Sequence, residues 1–144
     1  MAQQLEVAVS LTNDKVQFVG VSRSNPAVKC DYFPPLGDGD GYTGLELLLM
    51  SLAVCSATAI VHLLRKMGKD VSGFRVNARG VRKDVLPMTF EKIFLDFTVT
   101  SRDAEDLDIG KAIRLSEESY CPVWALLKNN VEIATSHRRE RSRG

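Results

Sequence analysis

From Leu45 to Met67 the chain reads LELLLMSLAVCSATAIVHLLRKM, good helix formers with no interior Gly or Pro, and Gly68 follows where a helix commonly ends. No other feature constrains the fold as strongly, because apolar residues wrap nearly all the way round the helix this stretch predicts. A helix of that kind has to be buried on most sides, with sheet on one flank and a further element or a second subunit on the other. Its longest uncharged apolar part, Leu47 to Val61, is too short for the roughly 30 Å core of a bilayer and contains Ser51, Ser56 and Thr58. It reads as a core helix and not as a membrane span.

The rest of the chain supplies the sheet. Leu5, Val7, Val9 and Leu11 alternate with Glu6, Ala8 and Ser10, the pattern of a strand with one face covered. VQFVGVS follows the NDK turn and AVKCDYF follows the Asn25-Pro26 break, so three short antiparallel strands precede the helix. Between them lies PPLGDGDGYTG (Pro34 to Gly44), whose density of Pro, Gly and Asp predicts a loop. GDGDG has only part of a calcium-loop spacing and lacks the closing Glu, so no metal is expected there.

After the helix, VSGFRVNARGVRK and FEKIFLDFTVT alternate as two long strands joined by DVLPM. Leu107 to Ser119 predicts a second helix, with Ile109, Ala112, Ile113, Ser116 and Tyr120 on one face and acidic residues before it. Cys121-Pro122 opens a short third helix over VWALLK, and VEIAT makes a final strand. The order βββ-α-ββ-αα-β predicts an α+β domain with antiparallel sheet and segregated helices, a single domain over residues 1–136. Residues 137–144 form a basic tail, with four arginines among the last seven residues and no apolar anchor, expected to be disordered.

Charge narrows the partners. Nineteen basic against eighteen acidic side chains leave a net charge of +1, so no long-range field steers the protein to nucleic acid or acidic lipid. A small molecule or another copy of the chain is the expected partner. The start MAQQLEVAVS has no basic segment followed by an apolar one, which predicts a cytoplasmic protein with reduced thiols. Three widely spaced cysteines, Cys30, Cys55 and Cys121, then argue for transient catalytic thiol chemistry over a disulfide framework or a zinc site.

Two of the three have a chemical context. Taking about 100° per residue, Cys55 shares one stripe of the long helix with Ser51, Thr58, His62 and Arg65, a polar line that meets water, a cavity or a polar partner. His62 lies roughly 10 Å along the axis from Cys55, beyond direct contact within one helix. Glu46 falls on the opposite face, as a helix-capping carboxylate or a catalytic one. Cys121 precedes an N1 proline and so occupies an N-cap, where unpaired N–H groups are expected to lower its pKa. Cys30 has no such surroundings and is expected to be an ordinary buried or half-buried residue.

With both cysteines placed, the chain resembles the OsmC/organic hydroperoxide resistance family, in its OsmC-like branch. GLELLLMSLAVCSATAIVHLLRKMG is similar to that family's central-helix motif and SEESYCPVWALLK to its second, Cys-Pro-Val motif. The resemblance implies an intertwined homodimer with the central helices at the interface. It also implies a Cys55 thiolate that attacks an organic hydroperoxide and a Cys121 that resolves the sulfenic acid to a disulfide, which an external dithiol reduces. No cofactor is implied. One departure from the family pattern stands out: CDYFPPLGDGDGYTG carries no arginine where the characterised hydroperoxidases have one, leaving Arg23, Arg65 or a partner arginine to substitute. The resemblance and the thiol pair favour a thiol-dependent peroxidase acting in oxidative stress defence. The missing arginine, with Trp124 following the Cys-Pro-Val motif, favours the alternative of a small-molecule binding or sensing protein on the same scaffold.

Overall fold

The computed structural model describes residues 3–141, which divide between two compact units, Met1–Leu48 and Leu49–Gly144. The first unit carries three strands, β1 (Ala8–Leu11), β2 (Phe18–Val21) and β3 (Val28–Cys30), in the order β1-β2-β3 with both pairs antiparallel. They are shorter than the alternation suggests. The face expected to be covered is also open, with Leu5, Val7, Val9 and Leu11 between 56% and 83% exposed. Alternation predicts that a face wants cover; it does not require that the same chain supply it.

The loop after β3 is organised by Asp31, whose carboxylate accepts N–H groups from Tyr32 (2.7 Å), Asp40 (3.1 Å) and Asp38 (3.3 Å). Burial pushes this carboxyl up, but the three donors outweigh it and hold it below the usual carboxylate range. Asp38 and Asp40 pair with Lys15 (2.7 Å) and Lys29 (3.2 Å) at the surface. Helix α1 (Gly44–Lys66) then starts with a capping box. The Thr43 hydroxyl accepts from Glu46 N–H (3.2 Å), and the Glu46 carboxylate accepts from Thr43 N–H (2.8 Å). The capping role open to Glu46 is thus formed.

α1 runs on into the second unit and ends as expected at Gly68, whose φ of 79° suits a glycine in the left-handed region. Its buried residues, Leu52, Ser56, Ile60, Leu63 and Leu64, make only one stripe, and Val54 remains 65% exposed. Burial on most sides is therefore not achieved within one chain. By length and composition α1 could cross a bilayer, with a mean hydropathy of 2.2 over its most apolar window.

The second sheet is β4 (Gly73–Arg82), β5 (Phe90–Thr100) and β6 (Glu132–Glu140), with β5 central. β4 pairs antiparallel to β5, whereas β6 pairs parallel to it, so this sheet is mixed. α2 (Asp106–Leu115) and α3 (Pro122–Leu127) lie in the β5–β6 connection, which is what a parallel pair needs to return the chain to the same end. Ile93, Leu95, Phe97 and Val99 of β5 are buried with Ile109, Ala112 and Ile113 of α2 and Trp124 of α3. β6 continues to Glu140 and so takes in residues 137–140 of the tail expected to be disordered. The backbone pairing of an edge strand satisfies its N–H and C=O groups without an apolar side-chain pattern. Residues 142–144 lie outside the described residues.

Where β5 ends, Ser101 is fully buried. Its hydroxyl donates to the Asp70 carbonyl and accepts from Ala104 N–H (2.9 Å), while Asp70 N–H donates to the Asp103 carboxylate (2.8 Å). That backbone donor, against a smaller opposing effect of burial, keeps Asp103 below the usual carboxylate range.

Candidate active site

Cys55 sits eleven residues into α1 on the stripe anticipated for it. Ser51, Thr58, His62 and Arg65 are exposed and Cys55 is half-buried, so this is the accessible side of the helix. The stripe opens into a cleft of about 330 Å³ lined by Cys55, Thr58, Ala59, His62, Tyr120 and Pro122, mostly through apolar surface. His62 does share the cleft with Cys55, about two helical turns further along α1.

Cys121 is brought to the same place from the other side. α2 does not run straight to it: the chain passes through one π-helical turn, Ser116–Tyr120, closed by Cys121 N–H to the Ser116 carbonyl at 2.9 Å. The wider turn inserts a residue relative to an α-helix, and Tyr120, which α-helical spacing places on the core face, is 53% exposed and forms a wall of the cleft. Cys121 itself is 2% exposed and does not line the cleft, whereas its neighbours Tyr120 and Pro122 do.

As expected, Cys121 is the N-cap of α3, with Pro122 at N1 and its sulfur accepting the Trp124 N–H at 3.4 Å. The consequence for its acidity is the reverse of the expectation. Burial pushes the thiol up to about 11 and the adjacent Cys55 side chain adds to the rise, while N–H groups of Trp124 and Val123 act against it. At 2% exposure the lost hydration of a thiolate outweighs the cap. Cys121 is therefore a protonated thiol at neutral pH beside the Cys55 sulfur, and both are free.

The remaining candidates lie apart from this pair. Arg65 lines a neighbouring cleft of about 500 Å³ with Ala57, Val61 and Phe74, sharing Thr58 and His62 with the first, and it donates to the Val71 carbonyl at 3.1 Å. Trp124 is fully buried in the core and lines neither cleft. Arg23 belongs to the first unit, at a φ of 56°. Cys30 is half-buried, as expected, at the end of β3, with its thiol directed to the Val28 carbonyl at 3.8 Å.

Residues 37–136, both cysteines included, match the family model of OsmC-like proteins. The chain belongs to the OsmC-like family. It is 37% identical over 93 residues, 65% of this chain and 69% of the other, to Protein YhfA of Escherichia coli (strain K12). Among solved structures, a hypothetical protein from Aquifex aeolicus VF5 superposes with a TM-score of 0.86 at 24% identity over 99% of this chain and 100% of that one. An organic hydroperoxide resistance protein OsmC from Legionella pneumophila superposes at 0.70 and 12% identity over 95% and 98%. Such coverage makes α1 an integral helix of the OsmC-like fold.

Proposed function

We propose that the protein is a thiol-dependent peroxidase for organic hydroperoxides, with Cys55 as the peroxidatic residue and Cys121 as the resolving one. The observation that carries this reading is the pairing of a half-buried sulfur that lines an apolar cleft with a buried, protonated sulfur adjacent to it. The Cys55 thiolate attacks the terminal oxygen of ROOH and the O–O bond breaks. The leaving alkoxide takes a proton and departs as ROH, and Cys55 becomes a sulfenic acid. Cys121–SH then condenses with it: the S–S bond forms, and the thiol proton leaves with the sulfenic hydroxyl as water. An external dithiol reduces the disulfide by exchange, itself becoming the oxidised partner, and restores both thiols. The mostly apolar lining of the cleft favours an organic hydroperoxide over hydrogen peroxide.

A homodimer belongs to the same proposal. The open apolar residues of β1 and the uncovered side of α1 are surfaces that a second copy would bury, and light scattering should give twice the 15.9 kDa of one chain. In this reading the protein works in the cytoplasm, where dithiol reductants are available.

The test is consumption of cumene hydroperoxide and of hydrogen peroxide by the wild type, Cys55→Ser and Cys121→Ser, with dithiothreitol as reductant. The wild type should prefer cumene hydroperoxide. Cys55→Ser should be inactive, and Cys121→Ser should accumulate a sulfenic acid that dimedone traps. Equal inertness of all three, with cumene hydroperoxide left unconsumed, refutes the peroxidase and leaves ligand binding without turnover.

A further inference from the structure

The second sheet carries a polar groove of about 480 Å³, lined by Arg75, Asn77, Asp96, Thr98, Ser136 and Arg138, which share the face opposite the side chains of Ile93, Leu95 and Val99, and also by Phe97 and His137. Strand register arranges these side chains in rungs. Arg75 of β4 and Arg138 of β6 are both partners of Thr98 on β5, and the next rung is Asn77, Asp96 and Ser136. Neighbouring strands lie about 4.8 Å apart, so the two arginine Cα atoms are roughly 10 Å apart and both guanidinium groups can converge above the central threonine. Thr98 is only 7% exposed and forms the floor of that rung.

Other cations of the sheet are already engaged. Lys92 pairs with Glu132 at 2.9 Å, Arg79 lies over the Phe94 ring at 4.1 Å, Arg139 pairs with Glu105 at 2.8 Å, and Arg82 donates to the Met88 carbonyl. Among the described residues Arg75 and Arg138 alone of the sheet's arginines and lysine have no such partner. The acidic group of the groove, Asp96, lies one rung from the arginines, about 7 Å along the strand, and accepts from the Ser136 hydroxyl beside it. Two like charges left without counter-ions over a buried hydroxyl are complementary to an anion.

We propose that this groove binds a phosphate monoester on a hydroxylated body, such as a sugar phosphate. Two guanidinium forks and the Thr98 hydroxyl offer donors for three oxygens and two positive charges, the complement of a tetrahedral dianion. A carboxylate, with two oxygens and one charge, would leave one guanidinium uncompensated. Asn77, Asp96 and Ser136 on the next rung supply the amide, carboxylate and hydroxyl that hydrogen-bond alcohol groups. The site is separate from the thiol cleft and does not depend on its chemistry.

Calorimetric or NMR titration at low ionic strength with inorganic phosphate, glucose 6-phosphate and glucose tests this on the full chain. Glucose 6-phosphate should bind, inorganic phosphate more weakly and glucose not measurably. Arg75→Gln and Arg138→Gln should each weaken glucose 6-phosphate about tenfold, whereas Lys111→Gln at an exposed position of α2, the same loss of charge elsewhere, should leave it unchanged. Asp96→Asn should weaken glucose 6-phosphate while sparing inorganic phosphate. No binding of either anion, equal weakening by Lys111→Gln, or a single-stranded oligonucleotide that binds more tightly than glucose 6-phosphate would each overturn the proposal. Both arginines are exposed and make no contact that holds the fold, so circular dichroism of the variants should match the wild type.

Discussion

Raising the pH should destabilise this protein through Cys121 in a window set by its burial. An ordinary thiol ionises near 9.0 and the folded Cys121 near 11, so between these values the folded state holds a proton that the unfolded chain has released. Stability contributed by the buried thiol is thus fully present below about pH 9 and is lost as the pH rises toward about 11. Each pKa unit is worth about 1.36 kcal/mol, which makes the loss across the window about 2–3 kcal/mol. Tyrosines and lysines titrate in the same range, so the quantity to measure is a difference. Urea unfolding of wild type and Cys121→Ser, both kept reduced, is followed from about pH 8 to about pH 11. Serine retains an oxygen to accept the Trp124 N–H and has no proton to lose there. The wild type should lose about 2–3 kcal/mol more than the variant. Burial is the largest single cause and the Cys55 side chain adds to it, so Cys55→Ser should keep part of the effect. Parallel pH curves for wild type and Cys121→Ser would refute the reasoning, and a Cys55→Ser protein without the effect would transfer its cause from burial to the neighbouring sulfur.

Three further substitutions separate polar groups that hold the fold from one that does not. Ser101→Ala removes a fully buried hydroxyl that bridges Asp70 and Ala104 and should cost about 1–3 kcal/mol in urea unfolding; a loss under about 0.5 kcal/mol would mean the bridge is dispensable. Ser116→Ala, in the π-turn, removes a buried hydroxyl that has no partner among the described residues, so its stability should be unchanged or higher by up to about 1 kcal/mol, and a clear drop would reveal a missed hydrogen bond. Thr43→Ala opens the capping box of α1 and should cost about 1 kcal/mol, visible as earlier thermal unfolding, while Cys55 chemistry is retained.

The parts of this fold that were legible in the sequence are those whose signal is local. α1 shows in its composition and its closing Gly68, the β4–β5 pair in alternation, and the cap at Cys121 in the proline that follows it. β6 was only half legible. SHRRE has no apolar face to read, and nothing in a strand's own residues states whether it will run parallel or antiparallel to its neighbour. The π-turn was invisible for a related reason: one inserted residue in a short helix barely changes the spacing of its apolar positions, yet it is what turns Tyr120 from the core to the cleft.

Cys121 shows most clearly why local reading stops short at a site. Its N-cap geometry came out as the sequence implied, and the inference from cap to acidity still reversed sign. Capping donors are set by the neighbouring residues, whereas desolvation is set by the whole fold around the sulfur. The same division applies to the pair. Each cysteine has its own local context, but only the tertiary structure makes one sulfur line the cleft and buries the other, still protonated, next to it. In the proposed reaction that asymmetry assigns the order of events: a hydroperoxide in the cleft reaches Cys55, and Cys121 reacts after an oxygen has been transferred to its neighbour. A substitution that opens the Tyr120 wall should therefore relax the order before it abolishes turnover. Tyr120→Ala should let an alkylating reagent reach Cys121 in the reduced protein, whereas in the wild type Cys55 alone of the two should be labelled; identical labelling of both proteins would show that the wall does not set the order.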